Sequence, residues 1–212
     1  MTQAADNRTS QLQATIMLQQ SRIEQLEIQL RDSYIDVGTG IANRAAFEKA
    51  ISNEWSRCHR EENLFSLIVI DCDYFKLVND SYGHQMGDAL LRAIALTVEQ
   101  QCHRPGDLAA RYGGDEFVVL LPGSDASGAI RVGDRIVRAV RKLTIAMTDD
   151  ITDEQICIGA TVSVGVATAQ PSAWSFNQAE GCKKLFHAAD LAAKEAKKRR
   201  NCGKQFRAVI RP

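Results

Sequence analysis

Two short runs in this 212-residue chain combine residue types and spacing that could do chemistry. Asp71-Cys72-Asp73 follows a nearly unbroken apolar run at 64–70, and Gly113-Gly114-Asp115-Glu116 separates two further apolar runs at 108–112 and 117–121. A bare DxD is weak evidence, because aspartates are common where strands give way to turns. The second run adds weight. If its flanking strands neighbour the one ending in Asp71, Asp115 and Glu116 come beside that residue, and three hard oxygen ligands at one sheet edge suit Mg2+, which keeps water and recruits substrate phosphates. The two glycines let a nucleotide or a second subunit approach the backbone closely. A plain β-turn is the alternative. A bland hairpin, however, usually turns on Asn-Gly or Asp-Gly, and Gly-Gly followed by two acids repels itself unless a cation is present.

Such groups need a scaffold, and the rest of the chain has the periodicity for one. The run 64–70 reads as a central strand covered on both faces, so the carboxylates sit at its exit. Residues 43–60 read as a helix with Phe47, Ile51 and Trp55 on one face, and 85–101 as another through Leu90, Leu91, Ile94 and Val98. The segments 108–112 and 117–121 form a hairpin. A helix at about 127–143, an acidic threonine-bearing loop, a β-branched strand at 158–166, a basic helix at 181–199 and a last short strand follow. Helices alternating with strands, one strand pair hairpin-linked, predict an α/β fold with a mixed central sheet flanked by helices. Upstream, Leu12, Ile16, Ile23, Leu26 and Leu30 fall on heptad a and d positions, with Gln19 interrupting the series. This predicts a coiled-coil-type helix over residues 1–35, serving as a dimerising or partner-binding stalk or packing on its own domain, ahead of a globular domain at 36–212.

Basic and acidic residues balance at 26 each, so overall charge points to no nucleic-acid or membrane surface. The six cysteines are scattered without a CxxC pair or zinc-type spacing, which fits a reduced, cytoplasmic setting. No window approaches the roughly 20 apolar residues of a membrane span, and the N-terminus has no signal-type apolar core.

The longer context of both acidic runs is specific. Arg111-Tyr112-Gly113-Gly114-Asp115-Glu116-Phe117 resembles the GGDEF signature with its usual flanks, and residues 71–88 resemble that family's DxDxFKxxND…GHxxGD block. The similarity continues at 36–44, 161–165 and 189–197, leaving only the first 35 residues outside it. The resemblance implies a palm-like nucleotidyl-cyclase fold and a diguanylate cyclase, which joins two GTP molecules into cyclic di-GMP with Mg2+ or Mn2+ as a homodimer.

By the same resemblance, Asp71 binds metal through its side chain and Cys72 through its backbone carbonyl, the thiol being incidental. Asp115 is a metal ligand and the acceptor of the attacking hydroxyl's proton, and Glu116 helps hold the cations. Asn79 and Asp88 hydrogen-bond the guanine edge; as loop residues they could instead cap helices. Backbone N–H groups around Tyr74 and Phe75 receive phosphate where a strand gives way to a short helix. Lys76 lies near the scissile phosphate and Lys197, with a nearby arginine, reaches the terminal phosphates, while the rest of the 194–200 basic run reads as a solvated helix face. His84 matches the family's histidine, either touching ligand or making a local structural hydrogen bond.

Arg104-Pro105-Gly106-Asp107 resembles the family's RxxD inhibitory site, which grips cyclic di-GMP; a surface turn containing Pro-Gly is the alternative. The chain departs from the pattern at Gly38, where leucine is usual, and lacks the glycine that normally follows the Ala-Lys pair near Ala196-Lys197. Gly38 predicts a loose joint between stalk and domain, and the missing glycine leaves either Arg199 or Arg200 to reach phosphate. A non-catalytic receptor binding cyclic di-GMP through Arg104 and Asp107 is the rival function, with a coiled-coil docking adaptor behind it. The intact Asp71, Lys76 and Gly113 to Glu116 set favours the enzyme.

Overall fold

The computed structural model describes residues 15–23, 25, 33–148, 155–198 and 206–209. The chain divides into two compact units, Met1–Ile35 and Asp36–Pro212. In the first, a helix α1 runs through residues 15–23 with Ile16, Met17, Leu18 and Ile23 exposed. Leu12, Leu26 and Leu30 of the predicted seam lie outside the described residues.

In the second unit a five-stranded sheet runs in the order β2 (Leu108–Gly113), β3 (Glu116–Pro122), β1 (Phe65–Cys72), β6 (Val162–Ala169), β7 (Phe206–Val209). β1 pairs antiparallel with both β3 and β6, β2 pairs antiparallel with β3, and β6 with β7 is parallel, so the sheet is mixed. The unbroken apolar run of β1 is explained by burial on both faces. Phe65, Leu67 and Val69 join the core under α2 (Arg44–Arg60) and α5 (Gln178–Lys198). Ile68, Ile70 and Cys72 join the core under α3 (Phe75–Glu99) and α4 (Ala126–Val140).

α2, α3 and α4 each carry a start signal or a break. Asn43 caps α2 by accepting the Ala46 N–H at 3.0 Å, and Asp125 caps α4 by accepting the Gly128 N–H at 2.7 Å. α3 is interrupted at Gly83, whose φ of 80° and ψ of 167° a residue with a side chain would adopt only under strain. The segment predicted as one helix at 85–101 is therefore the second part of a longer kinked element. α5 lies close to the sheet because Ala189, Ala192, Ala193 and Ala196 form its buried face.

Two expectations are corrected. The strand at 158–166 is two strands: β5 (Gln155–Gly159) pairs with β4 (Thr144–Thr148) in a separate two-stranded sheet, and the chain breaks at Ala160 and Thr161 before β6 begins. β4 occupies the start of the segment read as an acidic loop. Gly38 belongs to the second unit. Its carbonyl accepts Arg92 Nε at 2.8 Å, and a Cβ there would lie 3.0 Å from the Arg111 guanidinium, which would have to shift slightly to admit a side chain.

Candidate active site

Sheet register brings the acidic runs together. Asp71 lies inside β1 and not beyond its exit, directly opposite Glu116 on β3 and Ser163 on β6. The Cys72 N–H donates to the Asp115 carbonyl at 3.2 Å, fastening the acidic turn to the end of the central strand. Arg111 steadies the turn from below: its Nε and Nη2 donate to the Gly114 carbonyl at 3.0 and 2.8 Å, while Nη1 donates to Asp36 at 3.0 Å. Asp73 turns the other way, its backbone N–H donating to the Thr161 carbonyl and its carboxylate accepting the Thr161 and Ser163 hydroxyls at 2.8 Å each. Arg111, Thr161 and Ser163 were not singled out from sequence, although an arginine two residues before Gly-Gly and a hydroxyl pair opening a strand were the available signals.

The electrostatics of this corner mark an unmet demand for positive charge. Burial, followed by the charges of Asp71, Asp190 and Asp115, pushes the Glu116 carboxyl above its usual range, with Lys194 opposing. Burial also raises Asp71, against the ion pair with Lys197 and with Asp115 and Asp73 adding to the rise. Lys197 donates to Asp71 Oδ1, and Lys194 pairs with Asp190 at 2.7 Å. Among the described residues no three acidic, histidine or cysteine side chains are already gathered tightly enough to hold an ion. The donor chemistry nonetheless fits a hard divalent cation, since paired cross-strand carboxylates that resist carrying charge together are what such a cation relieves. The Cys72 thiol is buried and its pKa pushed up by that burial, so it stays protonated and supplies no ligand there.

On the other side of the strand exit, Tyr74 precedes α3 in a left-handed conformation (φ 57°, ψ 22°) without a side-chain cap. The first N–H groups of α3, from Phe75 and Lys76, have no acceptor within the helix, which is the arrangement that receives phosphate. Lys76 is exposed. Asn79 and Asp88 both lie inside α3, so neither caps a helix end. The Asn79 side chain instead packs on Gly87, where a Cβ would stand 1.9 Å from Oδ1. Asn79 Oδ1 is sealed from solvent with no hydrogen-bond partner, a condition that usually signals a missing ligand or water. Asp88 and His84 are exposed on the same helix. Gly87 was missed in the sequence; a glycine inside a helical pattern and eight residues after Asn79 was the signal.

Arg104 and Asp107 form a tight turn at the far end of β2. The Asp107 carboxylate accepts the His103 and Arg104 N–H groups at 3.2 and 3.0 Å, and the Arg104 guanidinium donates to Ser124 Oγ at 3.0 Å. The Pro-Gly turn is thus present, and Asp107 Oδ1 is left buried without a partner. Arg199 and Arg200 lie outside the described residues. No helix of the described residues is long and apolar enough to cross a membrane.

Comparison with known proteins adds to this geometry. Residues 33–202 match the family described as diguanylate cyclase, GGDEF domain. The chain is 35% identical over 161 residues to the probable diguanylate cyclase DgcC of Escherichia coli K12, covering 76% of this chain and 39% of that protein. It is 34% identical over 173 residues to diguanylate cyclase DgcP of Pseudomonas aeruginosa, covering 82% of this chain and 24% of that protein. The chain therefore spans well under half the length of these relatives. Among solved structures, the coiled coil and GGDEF domain of DgcB from Caulobacter crescentus, in complex with c-di-GMP, superposes with a TM-score of 0.74 at 27% identity, covering 94% of this chain and 99% of that one. The diguanylate cyclase SiaD of Pseudomonas aeruginosa, in complex with its activator SiaC, gives 0.71 at 28% identity, covering 96% and 72%.

Proposed function

The chain belongs to the GGDEF family of diguanylate cyclase domains, and from that membership we propose that it condenses two GTP molecules into cyclic di-GMP and two pyrophosphates, with Mg2+ or Mn2+, as a homodimer. The observation carrying this reading is the register that sets Asp71 opposite Glu116 while Cys72 is hydrogen-bonded to Asp115. Asp71, Asp115 and Glu116 side chains and the Cys72 carbonyl would hold the metal. Bound there, a divalent cation neutralises phosphate charge and makes the attacking hydroxyl more acidic.

This chain's residues then have separate tasks. Asp115 accepts the proton of the 3'-hydroxyl as its oxygen bonds to the α-phosphorus of the opposing GTP and the bond to pyrophosphate breaks. Lys76 stabilises charge on the α-phosphate, and the N–H groups around Tyr74 and Phe75 orient the phosphates behind it. Terminal phosphates compete with Asp71 for Lys197. Asp88 accepts from guanine N1–H and its exocyclic amine together, a donor pair adenine lacks, while Asn79 meets the guanine edge beside it. The orphaned Asn79 oxygen supports that assignment. Asn79→Ala is expected to raise KM for GTP about tenfold with kcat little changed, as for a lost ground-state hydrogen bond; steady-state kinetics showing KM unmoved would remove Asn79 from the site.

Each subunit presents one GTP, so two copies must face each other, and the repeat reaction closes the ring. Incubation with GTP and Mg2+ should yield cyclic di-GMP, with turnover per chain rising with protein concentration; nucleotide chromatography that finds no cyclic product under any concentration rejects the reading. The N-terminal helix is the natural device for raising local concentration or for receiving a regulatory protein, and the similar cyclase SiaD is known in complex with an activator. Removing residues 1–30 should shift the onset of turnover to higher protein concentration, and an unshifted onset would free the helix of that task.

Product is proposed to inhibit through Arg104 and Asp107, a reading supported by the partnerless Asp107 oxygen. Arg104→Ala is expected to raise the inhibitory constant of cyclic di-GMP by about tenfold or more, the worth of charge-assisted hydrogen bonds to phosphate. Progress curves for the variant that bend as early as those of the parent chain would contradict it.

A further inference from the structure

α2 and α5 lie side by side on one face of the sheet, and they separate enough to leave a cleft of about 700 Å3. One side is stapled: Gln178 Nε2 donates to the Ser52 carbonyl at 2.7 Å, and Gly181 sits against the Trp55 ring. Elsewhere the wall is aromatic. Tyr112 and Phe186 lie with ring centres 4.6 Å apart and planes tilted by 32°, and Phe47 meets Tyr112 edge-on at 5.6 Å. Phe47 is sealed in the core, whereas Tyr112 and Phe186 are only half-buried and line the cleft.

The charges at the mouth do not cancel. Glu48 is already paired with Arg44 at 2.7 Å, and the Arg44 guanidinium lies 4.7 Å from the centre of the Tyr112 ring. Lys183, also on the lining, makes no ion pair among the described residues. One positive charge is therefore left facing an aromatic-walled cleft of a volume typical of small-molecule sites.

We propose that this cleft binds a planar aromatic anion of small-molecule size, its ring against Tyr112 and Phe186 and its negative group toward Lys183. The site is distinct from the nucleotide corner, yet it is mechanically next to it. Tyr112 immediately precedes Gly113 of the acidic turn, and Arg111 on its other side holds the Gly114 carbonyl. Further along α5, Lys197 reaches Asp71. An occupant that wedges Tyr112 or tilts α5 acts on elements carrying the carboxylates, which makes the cleft an effector site.

The binding test needs no turnover, so it succeeds or fails independently of the cyclase assignment. The probe is the aromatic anion 1-anilinonaphthalene-8-sulfonate, added to the full chain. Cys182 lines the cleft and Cys157 is exposed elsewhere, giving a reporter and an internal reference. Dye at about four times its Kd should slow iodoacetamide labelling of Cys182 about fivefold, because only the unoccupied fraction reacts, and leave Cys157 unchanged. Lys183→Glu, an exposed change that spares the core, should weaken dye binding about tenfold. Ala179→Trp, which fills the cleft, should abolish protection. Unprotected Cys182, equal affinity in Lys183→Glu, or displacement of dye by GTP would each overturn the proposal. So would Cys182 protection that rises with protein concentration in the absence of dye, which would make the cleft an interface between copies.

Discussion

Glu116→Gln is expected to lower nucleotide condensation on the order of a thousandfold while leaving a folded protein at least as stable as the parent at neutral pH. The activity loss follows from removing a carboxylate that faces Asp71 across the β1–β3 pair. The stability gain follows from the direction of its pKa shift. Burial and the neighbouring charges of Asp71, Asp190 and Asp115 raise the Glu116 carboxyl, so the folded chain binds its proton more tightly than the unfolded chain does. The ionised form thus costs stability at pH 7, and that cost is relieved as pH falls through the raised folded pKa. The advantage of the glutamine variant should accordingly shrink on acidification toward the ordinary carboxylate range. Thermal melts at pH 7 and pH 4.5, alongside a cyclic di-GMP assay, check both halves. A variant that is inactive and also less stable at pH 7 would mean that Glu116 is a structural partner.

The largest structural effect is expected at Gly165, in the middle of β6. A Cβ there would lie 2.1 Å from the Ala189 carbonyl oxygen and 2.2 Å from the Ala193 nitrogen, so the backbone of α5 rests directly on the strand. Gly165→Ala must push the helix away or bend the sheet, at a cost of about 3 kcal/mol, or roughly 6–12 °C in Tm for a chain of this size. Because α5 also delivers Lys197 to Asp71, displacement would open the acidic corner as well as loosen the core. An unchanged melting temperature would show that the helix can ride outward freely.

The central strand, the hairpin and the helix faces were legible because each has an undisturbed period. β1 is apolar on consecutive residues since Leu67 and Ile68 face different helical layers, both at 0% exposure. The helix read from residue 43 begins at Arg44, because Asn43 is its cap and not its first turn. The paired strands β4 and β5 were not legible. Each is only five residues long, too short for the alternation of Ile156 and Ile158 with exposed neighbours to stand out, and the apolar stretch from Ile158 onward hides the break at Thr161, which exists because Asp73 binds that residue's carbonyl and hydroxyl. That contact joins residues 88 apart in sequence, so no local pattern encodes it. The acidic pair was visible as two motifs, but their register across β1 and β3 was not. Asn79 carried a family role, whereas its dependence on the bare backbone of Gly87 emerged only from the packing.

The outer margin of the sheet has a further consequence. β2 would present a row of free backbone donors and acceptors, but Ala42 bridges to Ala110 in parallel and its carbonyl takes the Arg111 N–H at 2.8 Å. The segment before α2 thereby blocks part of the margin next to the acidic turn, where a stray strand could otherwise zip on and polymerise the fold. Backbone pairing with a foreign strand is thereby confined to whatever length of β2 that bridge leaves bare.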